Sequence, residues 1–201
     1  MGRTSNAKER LLNATIELIW HYSYCSVGVD AICERAGVKK GSFYHFFSSK
    51  ADLAAEAIQT HWEGYQLEMD TLFCREVPPL QRLRAYFDKV YCAQRDRQAQ
   101  QGCIGGCPYF DLGTEIATLD GEIATKISQV LDQYFCYFAT AVEDAQRAGQ
   151  ISVKDSTCAA RWLMCYFQGA LTNARIHNDL SYLRDLSSGA FQLLGAHDVQ
   201  E

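Results

Sequence analysis

Val29-Asp30-Ala31-Ile32-Cys33-Glu34-Arg35-Ala36-Gly37-Val38-Lys39-Lys40-Gly41-Ser42-Phe43-Tyr44-His45-Phe46-Phe47-Ser48-Ser49-Lys50 reads as two short helices about a tight turn, with a third helix opening at once. Ile32, Cys33 and Ala36 share one side of the first helix, and Phe43, Phe46 and Phe47 give the second an apolar side at three- and four-residue spacing. Gly37 is the hinge. Without a Cβ it takes the left-handed conformation at a helix end at no steric cost, so Ala36-Gly37-Val38 reverses the chain within one turn. The pattern predicts a helix-turn-helix over about residues 28–47.

Burying the phenylalanines turns Lys39, Lys40, Ser42, Tyr44 and His45 to solvent, a set of two cations, two hydroxyls and an imidazole. Such groups suit phosphate oxygens and base edges. Gly41 lets the backbone approach DNA closely. Lys50 follows the candidate N-caps Ser48 and Ser49 and opens the next helix, where free amides and the positive dipole end favour a phosphate.

Gly41-Ser42-Phe43-Tyr44-His45-Phe46 and Ser49-Lys50-Ala51-Asp52-Leu53 closely resemble the DNA-binding domain of the TetR family of transcriptional repressors, and Arg10-Leu11-Leu12-Asn13-Ala14-Thr15-Ile16-Glu17-Leu18 is similar to that family's first helix. The resemblance spans residues 4 to about 53. It implies an all-α protein of about nine helices, with an N-terminal three-helix DNA-binding domain over 1–50 and a helical ligand-binding and dimerisation domain over 51–201. By position it adds Thr4, Val27 and Gly28 to the DNA-contacting set of Lys39, Lys40, Gly41, Ser42, Tyr44, His45 and Lys50. Two positions depart from the family pattern. Ser23 stands where a glycine is usual, and Val27 stands where a threonine is common, so Val27 has no hydroxyl to offer a phosphate.

The formal net charge of −5 looks wrong for a DNA binder until it is divided. Residues 1–50 carry seven Lys/Arg against four Asp/Glu, hence +3, which leaves −8 for the remainder. A basic head suits phosphates while an acidic body discourages nonspecific wrapping. The three prolines, at 78, 79 and 108, are few enough for long helices. Nine cysteines, at 25, 33, 74, 92, 103, 107, 136, 158 and 165, in a chain without a secretory signal predict mostly free thiols and a cytoplasmic location. No stretch approaches a membrane span, and no internal repeat or low-complexity tract is evident.

Past the head, the spacing predicts one long helix over 49–72, a helix started by Pro78-Pro79 that loosens into a loop near 98–102, and a glycine loop over 102–108. A helix carrying Tyr109, Leu112 and Ile116 follows, then a long one ended by Gly149, and two last helices near 155–177 and 181–195. The apolar content of those two is too broad for one face. In the family they pair across a two-fold axis, which implies a dimer interface of Leu163, Phe167, Leu171, Leu183, Leu186, Ala190 and Leu194.

Trp62, Tyr65, Tyr86, Tyr91, Phe110, Tyr134, Tyr137, Trp162 and Tyr166 are candidates to line an apolar effector pocket with hydroxyl handles. Cys103 and Cys107 join them, since they flank a glycine turn and Cys107 precedes a helix N-terminus that lowers a thiol pKa. The segment from Gly106 to Glu115 is similar to the corresponding one in TetR-type regulators that respond to reactive small molecules. The resemblance therefore implies a repressor that binds a double-stranded, near-palindromic operator as a homodimer and is released by a small-molecule inducer or by an electrophile or oxidant at a cysteine.

A cysteine enzyme with Cys107 as nucleophile is the rival from another class. The five histidines at 21, 45, 61, 177 and 197 are scattered, no nucleophile elbow or phosphate loop appears, and His45 already lies on the reading helix. Cys103-x-x-x-Cys107 lacks further metal ligands unless His61 or Cys92 arrives by folding. No catalytic residue, cofactor, metal site or membrane partner is expected. A helical interaction protein without operator specificity would keep the dimer and lose the reader.

Overall fold

The computed structural model describes residues 2–117 and 121–197, with the backbone alone at residues 2–5 and 122. Among the described residues it is all α: α1 (Gly2–His21), α2 (Val29–Ala36), α3 (Lys40–Phe46), α4 (Lys50–Leu72), α5 (Pro79–Gln101), α6 (Pro108–Ile116), α7 (Gly121–Arg147), α8 (Ser156–His177), α9 (Ser181–Arg184) and α10 (Leu186–Leu193). The chain divides into two compact units, Met1–Gln66 with Pro108–Leu131, and Leu67–Cys107 with Asp132–Glu201.

The first unit is built around Leu11, Leu12, Val27, Ile32, Cys33, Phe43, Phe47 and Leu53. Helix α2 ends because Gly37 takes φ 60° and ψ 40°, which lets the Gly37 amide donate to the Glu34 carbonyl at 3.0 Å and the Val38 amide to Cys33 at 2.9 Å. That reversal lays α3 back so that Phe43 is buried, while Phe46 is only half-buried. Thr15, a hydroxyl inside α1, is satisfied by the Leu11 carbonyl at 2.7 Å. In the same unit Tyr109, Leu112 and Ile116 of α6 are buried, and Trp62 packs between the rings of Tyr65 and Tyr109 at 6.1 and 5.6 Å.

The second unit closes over an aromatic cluster. Tyr86 meets Phe138 edge-on at 5.2 Å and Phe167 at 5.5 Å, and Phe138 stacks on Phe167 at 6.1 Å. Each such pair adds roughly 0.5–1.5 kcal/mol beyond the area it buries. Arg82, only 3% exposed, pairs with Asp144 at 2.7 Å and donates to the carbonyls of Val77 and Arg75 at 2.6 and 3.0 Å, closing the turn between α4 and α5.

Three expectations shift. Helix α5 does not loosen near residue 98 but runs to Gln101, where Gly102 caps it at φ 77°. Glutamine is a good helix former, and Gln98 is held by its amide donating to the Asn178 carbonyl at 2.7 Å. The last helix is two, because Asp185 at φ −109° and ψ 25° steps out of the helical region, which raises the count from about nine to ten among the described residues. Leu163, Phe167, Leu171, Leu183, Leu186, Ala190 and Leu194 are all buried inside the protomer and build its core rather than a surface.

Two outcomes test this packing. Asp144→Ala leaves the Arg82 guanidinium buried without its carboxylate, and thermal unfolding should show a loss of about 3–5 kcal/mol. Gly37→Ala forces a Cβ into the left-handed region and should cost about 1–2 kcal/mol in the same measurement.

Candidate nucleic-acid interface and effector region

Helices α2 and α3 present the reading surface. Lys39, at the N-cap of α3 in extended conformation, is exposed, as are Lys40, Gly41, Tyr44 and His45, while Ser42 is half-buried. Tyr44 is 58% exposed, and its ring is steadied edge-on against buried Phe43 at 4.9 Å. Lys40 Nζ lies 2.7 Å from the Asp30 carboxylate, whose hydrogen bond and charge push the ammonium above the usual lysine range. Gly28, exposed and extended, stands at the N-cap of α2. The side chain of Thr4 lies outside the described residues.

Two expected contacts are used internally. Val27 is buried in the head core, so its methyls pack where a threonine would have offered a hydroxyl. Lys50 does not reach outward: its Nζ donates to the carbonyls of Tyr24 at 2.9 Å and Val27 at 3.0 Å and sits 4.1 Å from the centre of the Tyr24 ring. The cap of α4 is Ser49, whose Oγ accepts from the Asp52 amide at 3.0 Å.

One residue of this region was not foreseen. Glu115 of α6 accepts from the Tyr24 amide at 2.9 Å and the Cys25 amide at 2.7 Å, in the connection between α1 and α2. Burial by itself would raise the carboxyl's pKa, but the amides of Cys25 and Tyr24, with the Cys25 thiol and Ser23 hydroxyl, outweigh it and hold the group below the ordinary glutamate range. A carboxylate some 90 residues away leaves no local signal in the sequence.

The aromatic candidates divide between the two units. Trp62, Tyr65 and Phe110 belong to the first unit, and the others to the second. Trp62 is core, and so are Tyr86 and Tyr134, whose hydroxyls hydrogen-bond each other inside the aromatic cluster. Tyr91 is half-buried on α5. The Tyr137 hydroxyl donates to Asp70. Tyr166 turns its hydroxyl onto Gly189, so close that a Cβ there would lie 2.1 Å away. Trp162 faces out, 59% exposed. In the first unit a cleft of about 310 Å³ runs between α1 and α4, lined by Leu12, Asn13, Ile16, Glu17, Trp20, His21, Ala57, Thr60 and His61. His61 Nδ1 lies 2.7 Å from the Tyr109 hydroxyl, and burial lowers its pKa, which keeps the imidazole neutral.

Cys103 is exposed and Cys107 buried, both as free thiols. Their loop is fastened: Asn178 accepts from the Ile104 amide at 3.1 Å and donates to the Gly102 carbonyl at 2.9 Å, and the Gly105 amide donates to Gln94 at 2.8 Å. A Cβ at Gly105 would lie 2.7 Å from the Arg97 guanidinium, which would have to swing aside.

Comparison with known proteins bears on this geometry. The sequence model described as bacterial regulatory proteins, tetR family, matches residues 11–57, and that of the tetracyclin repressor-like C-terminal domain matches residues 79–189. The transcriptional regulator AcuR of Cereibacter sphaeroides is 30% identical over 176 residues, covering 86% of this chain and 78% of AcuR. The HTH-type transcriptional repressor NemR of Escherichia coli is 21% identical over 190 residues, 90% of this chain and 94% of NemR, and a crystal structure of its reduced form shares the fold with a TM-score of 0.81. The solved structure of a regulatory protein TetR from Rhodobacter sphaeroides superposes with a TM-score of 0.81 at 28% identity, over 93% of this chain and 98% of that one. With its head and most of its body matched, the chain belongs to the tetR family of bacterial regulatory proteins and is a DNA-binding transcriptional regulator.

Proposed function

We propose that the chain is a homodimeric, cytoplasmic repressor whose head, residues 1–50, reads a near-palindromic operator through α3, and whose body, residues 51–201, receives the inducing signal. The observation that carries the reading is the exposed face of α3, where Lys39, Lys40, Gly41, Tyr44 and His45 face solvent on a helix anchored from behind by Phe43. Phosphate contacts by the lysines position the helix, and Tyr44 and His45 reach base edges. Val27 and Lys50 act from behind this face, through packing and loop support.

Two such helices bind half-sites about a helical turn apart only if the body pairs. Trp162, Cys165, Gly169, Thr172 and Ile176 recur at alternating three- and four-residue spacing on the exposed side of α8, with Ile176 69% exposed, and Leu193 of α10 is exposed as well. This stripe takes over the interface role expected of the buried leucines. A helix with one apolar side in the core and a second one in solvent needs a partner.

The inducing signal acts at the Cys103 loop. Cys103 is the accessible thiol, and its loop is tied by Asn178 to the C-terminal end of α8. A noncovalent ligand is the second reading, favoured by the cleft between α1 and α4. The relatives named are regulators, which favours regulation over catalysis. Binding to the intergenic DNA upstream of the gene, lost on mild thiol oxidation and restored by reductant, and insensitive in Cys103→Ser, is the outcome expected. Binding that survives oxidation moves the signal to the cleft, and no specific binding defeats the repressor reading.

Lys39→Ala should weaken operator binding and flatten the dependence of log K on log salt by about one unit, read by fluorescence anisotropy at several salt concentrations. Tyr44→Ala should cost about 1–3 kcal/mol of operator affinity with the oligomeric state unchanged. Trp162→Asp should shift the protein to monomer in sedimentation and abolish cooperative operator binding, since it places a charge in the proposed seam.

A further inference from the structure

We infer that Glu115 is a positioning residue through which α6 holds the reading pair in its DNA-competent arrangement, a regulatory link that rests on the DNA-reading function proposed above. The connection over 22–28 leads straight into Gly28, the N-cap of α2, so its conformation sets where α2 begins and, through Gly37, where α3 lies. Its backbone is held from two directions. Lys50 takes the carbonyls of Tyr24 and Val27, and the two oxygens of Glu115 take the amides of Tyr24 and Cys25, one each.

The side chains of the connection converge on the same carboxylate. The Ser23 hydroxyl and the Cys25 thiol neighbour the same carboxylate, and Glu115 is the main cause that raises the thiol's pKa. Ser23 is the position at which the family pattern carries a glycine, so the departure places a hydroxyl beside the clamp. Glu115 itself sits one residue from the end of α6, a helix that starts at Pro108, directly after Cys107 of the cysteine loop. Amides and a carboxylate make short, directional bonds, here 2.9 and 2.7 Å, so a displacement of α6 by about an ångström breaks them rather than stretching them. The reading pair then loses half of what fixes its entry. This route differs from one through α4, which carries only Lys50 at the connection.

The test uses the full chain, with a duplex that the wild-type protein selects from a random pool as the probe. In Glu115→Ala, affinity for that duplex should fall about tenfold or more, as expected for two lost charge-assisted bonds in the bound arrangement. Glu115→Gln keeps one acceptor oxygen and the side-chain shape, and should lose affinity by an intermediate factor, which keeps the test decisive if the alanine variant folds poorly. In both, hydrogen exchange should quicken over 22–28 and also over 29–46, while the slope of log K against log salt stays at the wild-type value, because no phosphate contact is removed. Wild-type affinity in the glutamine variant, with faster exchange confined to 22–28, would show a local anchor only and overturn the inference. A wild-type protein that selects no duplex overturns it too, and that outcome alone also removes the DNA-reading function.

Discussion

Backbone donors and acceptors between two helices have no ladder of their own to satisfy them, and the head is arranged around meeting that need at the α1–α2 connection. A cation supplies the carbonyls and a carboxylate supplies the amides. Both charges act on the same few peptide groups, Tyr24 giving its carbonyl to Lys50 and its amide to Glu115. Val27, tucked into the core at the end of this stretch, fixes its depth. Once that entry is set, Gly37 fixes the exit of α2, and α3 has one place to lie.

The second unit meets a different demand. Its buried polarity, among the described residues, centres on Arg82, Gln168 and the hydroxyl pair of Tyr86 and Tyr134, and its order comes from rings that touch edge to face. Helix α8 is central because it serves two surfaces at once. Leu163, Phe167 and Leu171 complete the core, and Trp162, Cys165 and Ile176 lie on the side turned to solvent.

That double use explains where the sequence could be read and where it could not. A helix apolar on nearly every side has no phase, so the breadth of α8 did not say which of its residues enter the core and which face solvent. The turn at Gly37, the helix starts at Pro79 and Pro108, and the exposed side of α3 were legible because each depends on neighbours within a few residues. The internal partners of Lys50 were not legible, for the opposite reason. Its position favours a phosphate, yet carbonyls brought from residues 24 and 27 by folding claim it first. The aromatic residues of the body carry no mark that separates a pocket from a core, and three of the nine candidates, Trp62, Tyr86 and Tyr134, went to the core.

The pair of Lys40 and Asp30 gives the reading face a property that a bare cation would lack. A phosphate arriving at Lys40 does not meet an idle charge. It must take the place of an anion already held, so the gain is only the difference between two partners. On the proposed reading, contacts of Tyr44 and His45 to base edges would carry no such discount. Encounters with arbitrary DNA, which rely on phosphate alone, would then be weakened more than encounters with a matching site, and the protein would leave wrong sequences sooner. A single aspartate on α2, ten residues before the lysine, would thus act as a built-in competitor that trades strength for discrimination.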